Sequence, residues 1–248
     1  MARVGVITQA RMTSTRLPGK VMIEVAGQTL LDHHLDRLAW SGLPVLVATT
    51  TNDVDDPIVE LARGRGLGVH RGSEQDVLAR FHECAEVYSL DVVVRVTSDC
   101  PLVDGHVVAD VVERFTARNS EWLYLSNGLE RTFPRGLDVE VFSAAALADA
   151  HRSAKDPAQR EHVTPYLYRQ NHPRMSVEHV YAQLDGSRFR ITLDTADDLE
   201  VIRRLIEDHA AQRLAYADLV AVLEQHPEIT TLNTHVEQKR LPDRTGHA

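Results

Sequence analysis

A rhythm constrains this chain more than any single motif. Short runs of β-branched and apolar residues alternate, from the first residues onward, with longer stretches of helical period. Such alternation is the sequence sign of βαβ units, because a parallel strand buried on both faces needs crossover helices to cover it. The predicted strands are Arg3–Thr8, Pro44–Thr50, Gly68–His70 and Asp91–Thr97. Helical patterns cover Thr29–Trp40, Pro57–Arg65, Glu74–Tyr88 and His106–Arg118. The run DVVVRVT, residues 91–97, has the continuous β-branched character of a central strand covered on both sides. The expected fold class is α/β, with a mainly parallel central sheet.

Beyond Trp122 the rhythm changes. WLYLSN (122–127) and LDVEVFS (137–143) are strand-like, with the polar loop GLERTFPRG between them. Helices are predicted over Ala144–Ser153 and Ala158–Asn171, followed by strands in MSVEHVYA (175–182) and FRITLDT (189–195). Thr195 and Asp198 form a carboxylate variant of the capping box and open another helix. A final amphipathic helix is expected near Ala215–Glu224. The partition is one domain over 1–236 with a protruding segment near 150–182, and a polar, poorly ordered tail over 237–248.

Composition narrows the partners. With 27 Lys and Arg against 36 Asp and Glu, the formal net charge of −9 excludes a general attraction to nucleic acid or to an anionic membrane. Any anion must be bound at a local site. The two cysteines, Cys84 and Cys100, provide neither a disulfide framework nor metal-ligand spacing. No segment approaches the roughly 20 apolar residues of a membrane span. The start MARVGVI runs straight into a strand and lacks the apolar region of a signal peptide, so a cytoplasmic protein is expected.

Against this acidic background the segment QARMTSTRLPGK, residues 9–20, stands out. It follows the first strand, the favoured place for phosphates in an open parallel sheet. Arg11 and Arg16 can fork onto phosphate oxygens, and Lys20 supplies a point charge. Ser14, Thr15 and the loop's backbone N–H groups can complete an anion cradle, with Pro18 and Gly19 fixing the turn. The order of residues is neither the P-loop nor the G-x-G-x-x-G fingerprint. Spacing alone fits a solvated loop equally well.

Two aspartates complement the cations. Asp99, in TSDCPLVD, stands at the carboxyl end of a predicted central strand that Pro101 stops, which suits a ligand to a divalent metal. Asp104 reads as the N-cap of the next helix. Cys100 has no histidine in a recognisable relation to it and is not read as a nucleophile. Asp194, in ITLDTADDL, again ends an apolar run just before a capped helix, whereas Asp197 and Asp198 are explained by that helix's first turn. Asp99 and Asp194 together suggest an O-ligand Mg²⁺ site completed by substrate phosphates. RGSEQDVLARF offers Arg71, Gly72, Ser73 and Asp76 as a nucleoside-facing loop, or simply a helix cap. Arg131 and Arg135, around a proline, could meet an anionic acceptor. Arg160, Glu161 and His162 start or face a helix without H-E-x-x-H spacing, and a structural or interface histidine is the reading favoured there.

Taken in order, QARMTSTRLPGK, VRVTSDCPLVD, RTFPRGLDVEVFS, REHVTPY and LDTADDL resemble the SpsF family of cytidylyltransferase-like proteins, over Val4 to about Leu205. That family is similar to the CMP-Kdo and CMP-sialate synthetases. The resemblance implies a nucleotide-diphospho-sugar transferase fold, GT-A-like and Rossmann-like, with CTP over the carboxyl ends of the strands. It implies Arg11, Ser14, Arg16 and Lys20 on the triphosphate and Asp99 and Asp194 on Mg²⁺, or Mn²⁺ in its place. Gln9, Ala10, Gly19, Arg71, Ser73, Asp76 and Ser98 join the candidate nucleotide contacts, with Lys20, Arg11 and Asp99 as the catalytic set. Arg131, Arg135, Asp138 and Glu140 are the candidate acceptor contacts. A homodimer through the 150–182 segment is implied as well. Thr97-Ser98-Asp99 departs from the Gln-Gly-Asp-type block of the CMP-Kdo branch, which alters the lining beside the nucleotide. The expected activity joins CMP from CTP to a small acceptor, an acidic sugar or a phosphorylated or phosphonate compound, and releases pyrophosphate. A glycosyltransferase of GT-A type or a non-catalytic nucleotide-binding subunit are the alternatives; the former lacks a clear Asp-x-Asp, which LDVEVF imitates only distantly.

Overall fold

The computed structural model describes residues 2–238. Strands β1 (Val4–Gln9), β4 (Val45–Thr50), β5 (Gly68–Gly72), β6 (Val92–Thr97), β7 (Leu123–Ser126), β8 (Glu140–Ser143) and β9 (Ser176–His179) form one sheet in the order β5-β4-β1-β6-β8-β7-β9. A separate two-stranded ribbon joins β2 (Glu24–Val25) to β3 (Gln28–Thr29). In the main sheet β8 alone is reversed: it pairs antiparallel with β6 and β7, while the other pairings are parallel.

Both faces of the sheet are covered, as the apolar strands demand. β4 is buried at every position. On one face Val6, Val47, Val94 and Val96 pack with residues of α1 (Leu30–Ala39), α2 (Asp56–Gly64), α4 (Gly105–Arg118), α8 (Ala196–His209) and α9 (Tyr216–Gln225). On the other, Ile7, Ala48, Val93 and Phe142 pack with α3 (Val77–Val87), α5 (Ala144–Ser153) and α7 (Pro165–Tyr168). Each fully buried aliphatic side chain contributes about 1.5–3 kcal/mol, and the two layers cover the sheet that carries the strand ends. The expected caps form: Asp104 accepts the His106 N–H at 2.8 Å, and Thr195 and Asp198 close a reciprocal capping box on α8.

Three local expectations are corrected. The helix predicted over Ala158–Asn171 is two short ones, α6 (Pro157–His162) and α7. Pro165 supplies no N–H to continue a ladder, and Val163 turns to φ +70, ψ −59 with the Thr164 N–H on the His162 carbonyl at 2.8 Å. This is a γ-turn of the strained hand, built on a β-branched residue that the fold buries completely. FRITLDT does not enter the sheet. It runs across the strand ends, touching the chain through one bridge between Arg135 and Arg190 and through the Leu193 N–H on the Asp99 carbonyl at 2.7 Å. The strand in MSVEHVYA is shorter than its apolar run, Ser176–His179, and lies at the sheet's edge beside β7.

The 150–182 segment carries α6, α7 and β9, and its Val163, Leu167 and Met175 are buried in the second core layer. Most of the expected 237–248 tail lies outside the described residues. A last short helix, α10 (Pro227–Thr230), follows α9, and among the described residues no helix is long and apolar enough to cross a membrane.

Candidate active site

The carboxyl ends of β1 and β6 lie side by side, because their register pairs Gln9 with Thr97. Everything that follows those two strands is therefore brought to one rim. The loop after β1 is pinned from beneath by Asp55, fully buried, which accepts the Met12 N–H at 2.7 Å and the Thr49 hydroxyl at 3.2 Å. It closes through the Gly19 N–H on the Met12 carbonyl at 2.8 Å, with Gly19 at φ +68, where a side chain would be strained. Ser98 is tied to the same rim by its N–H and its hydroxyl, both donated to the Gln9 carbonyl.

A cavity of about 490 Å³ opens over this rim. Gln9, Arg11, Ser14, Thr15, Arg16 and Lys20 from the first loop line it, facing Ser98, Asp99 and Asp194. At its far side stand Arg95, Arg135, Asp138 and Glu140, with Glu161, His162, Thr164 and Tyr168 from the α6–α7 turn. A second cavity of about 730 Å³, lined by Arg11, Ser73, Glu74, Asp76, Lys155 and Arg160, shares Arg11 and Glu161 with the first.

Asp99 and Asp194, 95 residues apart in sequence, are joined through one ammonium. Lys20 Nζ lies 3.1 Å from Asp99 Oδ2, 3.0 Å from Asp194 Oδ1 and 2.6 Å from the Leu193 carbonyl. Burial would lower the Lys20 pKa, but the two carboxylates outweigh it and hold it above the ordinary lysine value. Burial would likewise raise Asp99; the neighbouring ammonium, with hydrogen bonds from Thr97 and Cys100, reverses this and keeps the carboxyl below the usual range. Asp194 is held further by Arg16 at 2.9 Å and Arg190 at 2.9 Å. Arg190 in turn forks onto the fully buried Asp198, which also accepts the Asp194 and Thr195 N–H groups and the Asn233 amide. Asp198 is thus more than a cap: it fixes the loop that presents Asp194.

Two carboxylates and a carbonyl converging on one point are an all-oxygen set that fits a hard divalent cation completed by phosphate oxygens, not a closed protein cage. No group of three or more His, Cys, Asp or Glu side chains suited to a metal occurs among the described residues.

The remaining candidates divide. Ser73 and Asp76 line the second cavity; Asp76 caps α3 and pairs with Arg160, while the Ser73 hydroxyl accepts the Asp76 N–H at 3.0 Å. Arg71 lines neither cavity. It is engaged with Asp56 at 2.6 Å and with the Thr50 and Asn52 carbonyls at 2.8 Å, a tether for the β4–α2 loop. Arg131 sits behind the wall, paired with Asp138, and Arg135 alone of that loop's two cations faces the cavity. Among the described residues the Arg135 guanidinium has no hydrogen-bond or ion-pair partner, and its neighbour Gly136, at φ +110, passes too close to Ile191 for a side chain to fit. Glu140 is opposite Arg95 across β6 and β8 and accepts from Arg95, Tyr124 and Thr164. Asp138 and Glu140 are thus each paired with an arginine.

Arg95 and Arg190 were not among the residues singled out from the sequence; His162, read as structural or interfacial, lines the first cavity. A lone cation inside VVVRVT and an arginine four residues before Asp194 were the available signals. Burial makes both cysteines inert: it pushes the Cys84 thiol up to about 12 and Cys100 well above its ordinary value.

This architecture is the nucleotide-diphospho-sugar transferase fold of nucleotidyltransferases, as its likeness to solved structures shows. One is a CMP-2-keto-3-deoxy-manno-octonic acid synthetase complexed with CTP, with a TM-score of 0.62 at 16% identity over 84% of this chain and 99% of that one. A sequence model of the cytidylyltransferase family matches residues 5–238, and the chain belongs to that family. It is 32% identical to the spore coat polysaccharide biosynthesis protein SpsF of Bacillus subtilis, over 91% of this chain and 95% of the relative. A solved cytidylyltransferase from Leptospira borgpetersenii superposes with a TM-score of 0.88 at 34% identity, covering 93% of this chain and 97% of that one.

Proposed function

We propose that the chain joins CMP from CTP to a small anionic acceptor and releases pyrophosphate. The observation that carries this reading is the meeting of the Arg11, Arg16 and Lys20 loop with Asp99 and Asp194 over the ends of β1 and β6. An acceptor oxygen attacks the α-phosphorus in line, a bond to that oxygen forms, and the bond to the β-phosphate bridging oxygen breaks. Such a displacement needs positioning and charge neutralisation and no protein nucleophile. Arg11 and Arg16 grip the departing pyrophosphate, and Ser14 and Thr15 orient it. Mg²⁺, or Mn²⁺ in its place, held by Asp99 and Asp194, would supply further neutralisation of the phosphoryl oxygens.

The second cavity, next to Arg11, is the proposed seat of the nucleoside, with Ser73 and Asp76 on its wall. Arg135, with Asp138 and Glu140 beside it, is the proposed acceptor wall, and an unpaired guanidinium there favours an acceptor carrying a carboxylate, phosphate or phosphonate. The resemblance further supports a cytoplasmic homodimer formed through the 150–182 segment, in which β9 ends the sheet with its outer edge unpaired among the described residues. A role in building a cell-surface or spore-coat-type glycoconjugate rests on the SpsF relative.

The test is pyrophosphate release with each of the four nucleoside triphosphates and Mg²⁺, against acidic sugars, phosphosugars and phosphonates. Release with CTP and one acceptor class is expected. Thermal protection by UDP-sugars and not by CTP would instead place the chain among glycosyltransferases, and no response to either ligand would make it a scaffold.

A further inference from the structure

The ammonium of Lys20 is fully used. It has three N–H donors, and Asp99, Asp194 and the Leu193 carbonyl take all three. In this arrangement nothing is left for a phosphate oxygen. The ammonium also stands on the oxygen set that suits a divalent cation, and two cations cannot share that point.

We propose that Lys20 is a resident cation of the metal site, which bars a divalent ion until the phosphates of a nucleotide draw the ammonium away. The proposal rests on the nucleotidyltransferase reading of the same site. Neighbouring, partly buried carboxylates without a cation between them repel each other, so one cation has to replace the other. A metal-bound triphosphate does both at once, because its anionic oxygens receive Lys20 while it carries the ion in. The exchange asks little of the backbone. Gly19 and the turn over Lys20–Met22 hold the residue's Cα, and the four-carbon stem swings. The two carboxylates are unequal in this exchange: Asp194 keeps Arg16 and Arg190, while Asp99 has no second ion-pair partner among the described residues. Asp99 is therefore the ligand uncovered when Lys20 leaves.

The experiment uses Mn²⁺ alone as the probe, on the full chain without nucleotide, read by electron paramagnetic resonance of the free ion and by thermal melting. The wild type should take up Mn²⁺ weakly and K20M more tightly by about tenfold or more, the scale of a typical site-to-site coupling. Mn²⁺ alone should raise the melting temperature of K20M but not of the wild type, and adding D99N to K20M should abolish the rise. Equal Mn²⁺ affinity in wild type and K20M overturns the proposal. Should K20M not fold even with Mn²⁺, the wild type decides: tight binding of Mn²⁺ in the absence of nucleotide overturns the proposal, and weak binding that CTP strengthens upholds it. These readouts are separate from turnover, so CTP-dependent pyrophosphate release can persist while the exchange fails.

Discussion

Arg160 and Asp76 meet across 84 residues of chain, with the guanidinium Nε 3.0 Å from one carboxylate oxygen and 3.1 Å from the other. The pair ties α6 to the first turn of α3 on the wall of the second cavity. Asp76 has a second task, since it accepts the Ala79 N–H at 2.9 Å as the helix N-cap. Asp76→Ala should therefore destabilise the protein more than Arg160→Ala does, by about 1 kcal/mol for the lost cap. Urea unfolding of both variants checks this; an equal or larger loss in Arg160→Ala, whose guanidinium also donates to the His151 carbonyl, would overturn it.

Asp99→Asn keeps a side-chain oxygen for Lys20 but removes the charge. Turnover should fall by about 100-fold or more, as when one electrostatic element of a preorganised site is lost, while the melting profile stays cooperative. Near-wild-type pyrophosphate release at saturating Mg²⁺ would sink the assignment of Asp99 to the metal.

His34 predicts a pH effect. It is fully buried, with Nδ1 2.8 Å from the Cys100 carbonyl and Nε2 2.8 Å from the Thr8 hydroxyl; in the neutral ring that burial favours, Nδ1–H donates to the carbonyl and Nε2 accepts from Thr8. Burial lowers its pKa from 6.5 to about 4. Between those values the unfolded chain binds a proton that the native chain does not, so stability is present above pH 6.5 and is lost as pH falls towards 4. The loss is about 3 kcal/mol for a shift of that size. His151 and His162 are shifted downward too, so the comparison is differential. His34→Gln should flatten part of the decline in unfolding free energy between pH 6.5 and 4, and an unchanged slope would count against it.

Arg135 and Arg131 should separate by kinetics. Arg135 faces the cavity without a partner among the described residues, and Arg131 stands behind it, paired with Asp138. Arg135→Ala should raise the acceptor KM by about tenfold or more, the value of a hydrogen bond to a charged group, and leave the CTP KM unchanged. Arg131→Ala should do less to the acceptor KM. An effect of Arg135→Ala confined to CTP would move that residue to the nucleotide side.

Much of the architecture was legible because it is local. The apolar runs that became β1, β4 and β6 are periodic over a few residues, and the caps at Asp104 and Thr195 act within three positions. The misread segments share a cause. FRITLDT has strand composition, but composition does not say whether a sheet has room beside it. Ala158–Asn171 has helical composition, yet the turn at Val163 is enforced by burial and by Pro165. The partners of Arg71, Asp56 and the Thr50 and Asn52 carbonyls, were not legible, because an arginine's reach is not written in its neighbours.

The chain by itself determined the cation loop after β1, the aspartate after β6 and the alternation that sends both to one end of a parallel sheet, since each depends on contacts close in sequence. Only the tertiary structure decided who meets whom there. Lys20 lies between Asp99 and Asp194, 79 and 174 residues away, and Arg16 and Arg190 share Asp194. Those pairings depend on strand order and on the path of residues 189–194 across the strand ends, which are settled by packing the whole sheet and not by any short stretch of it.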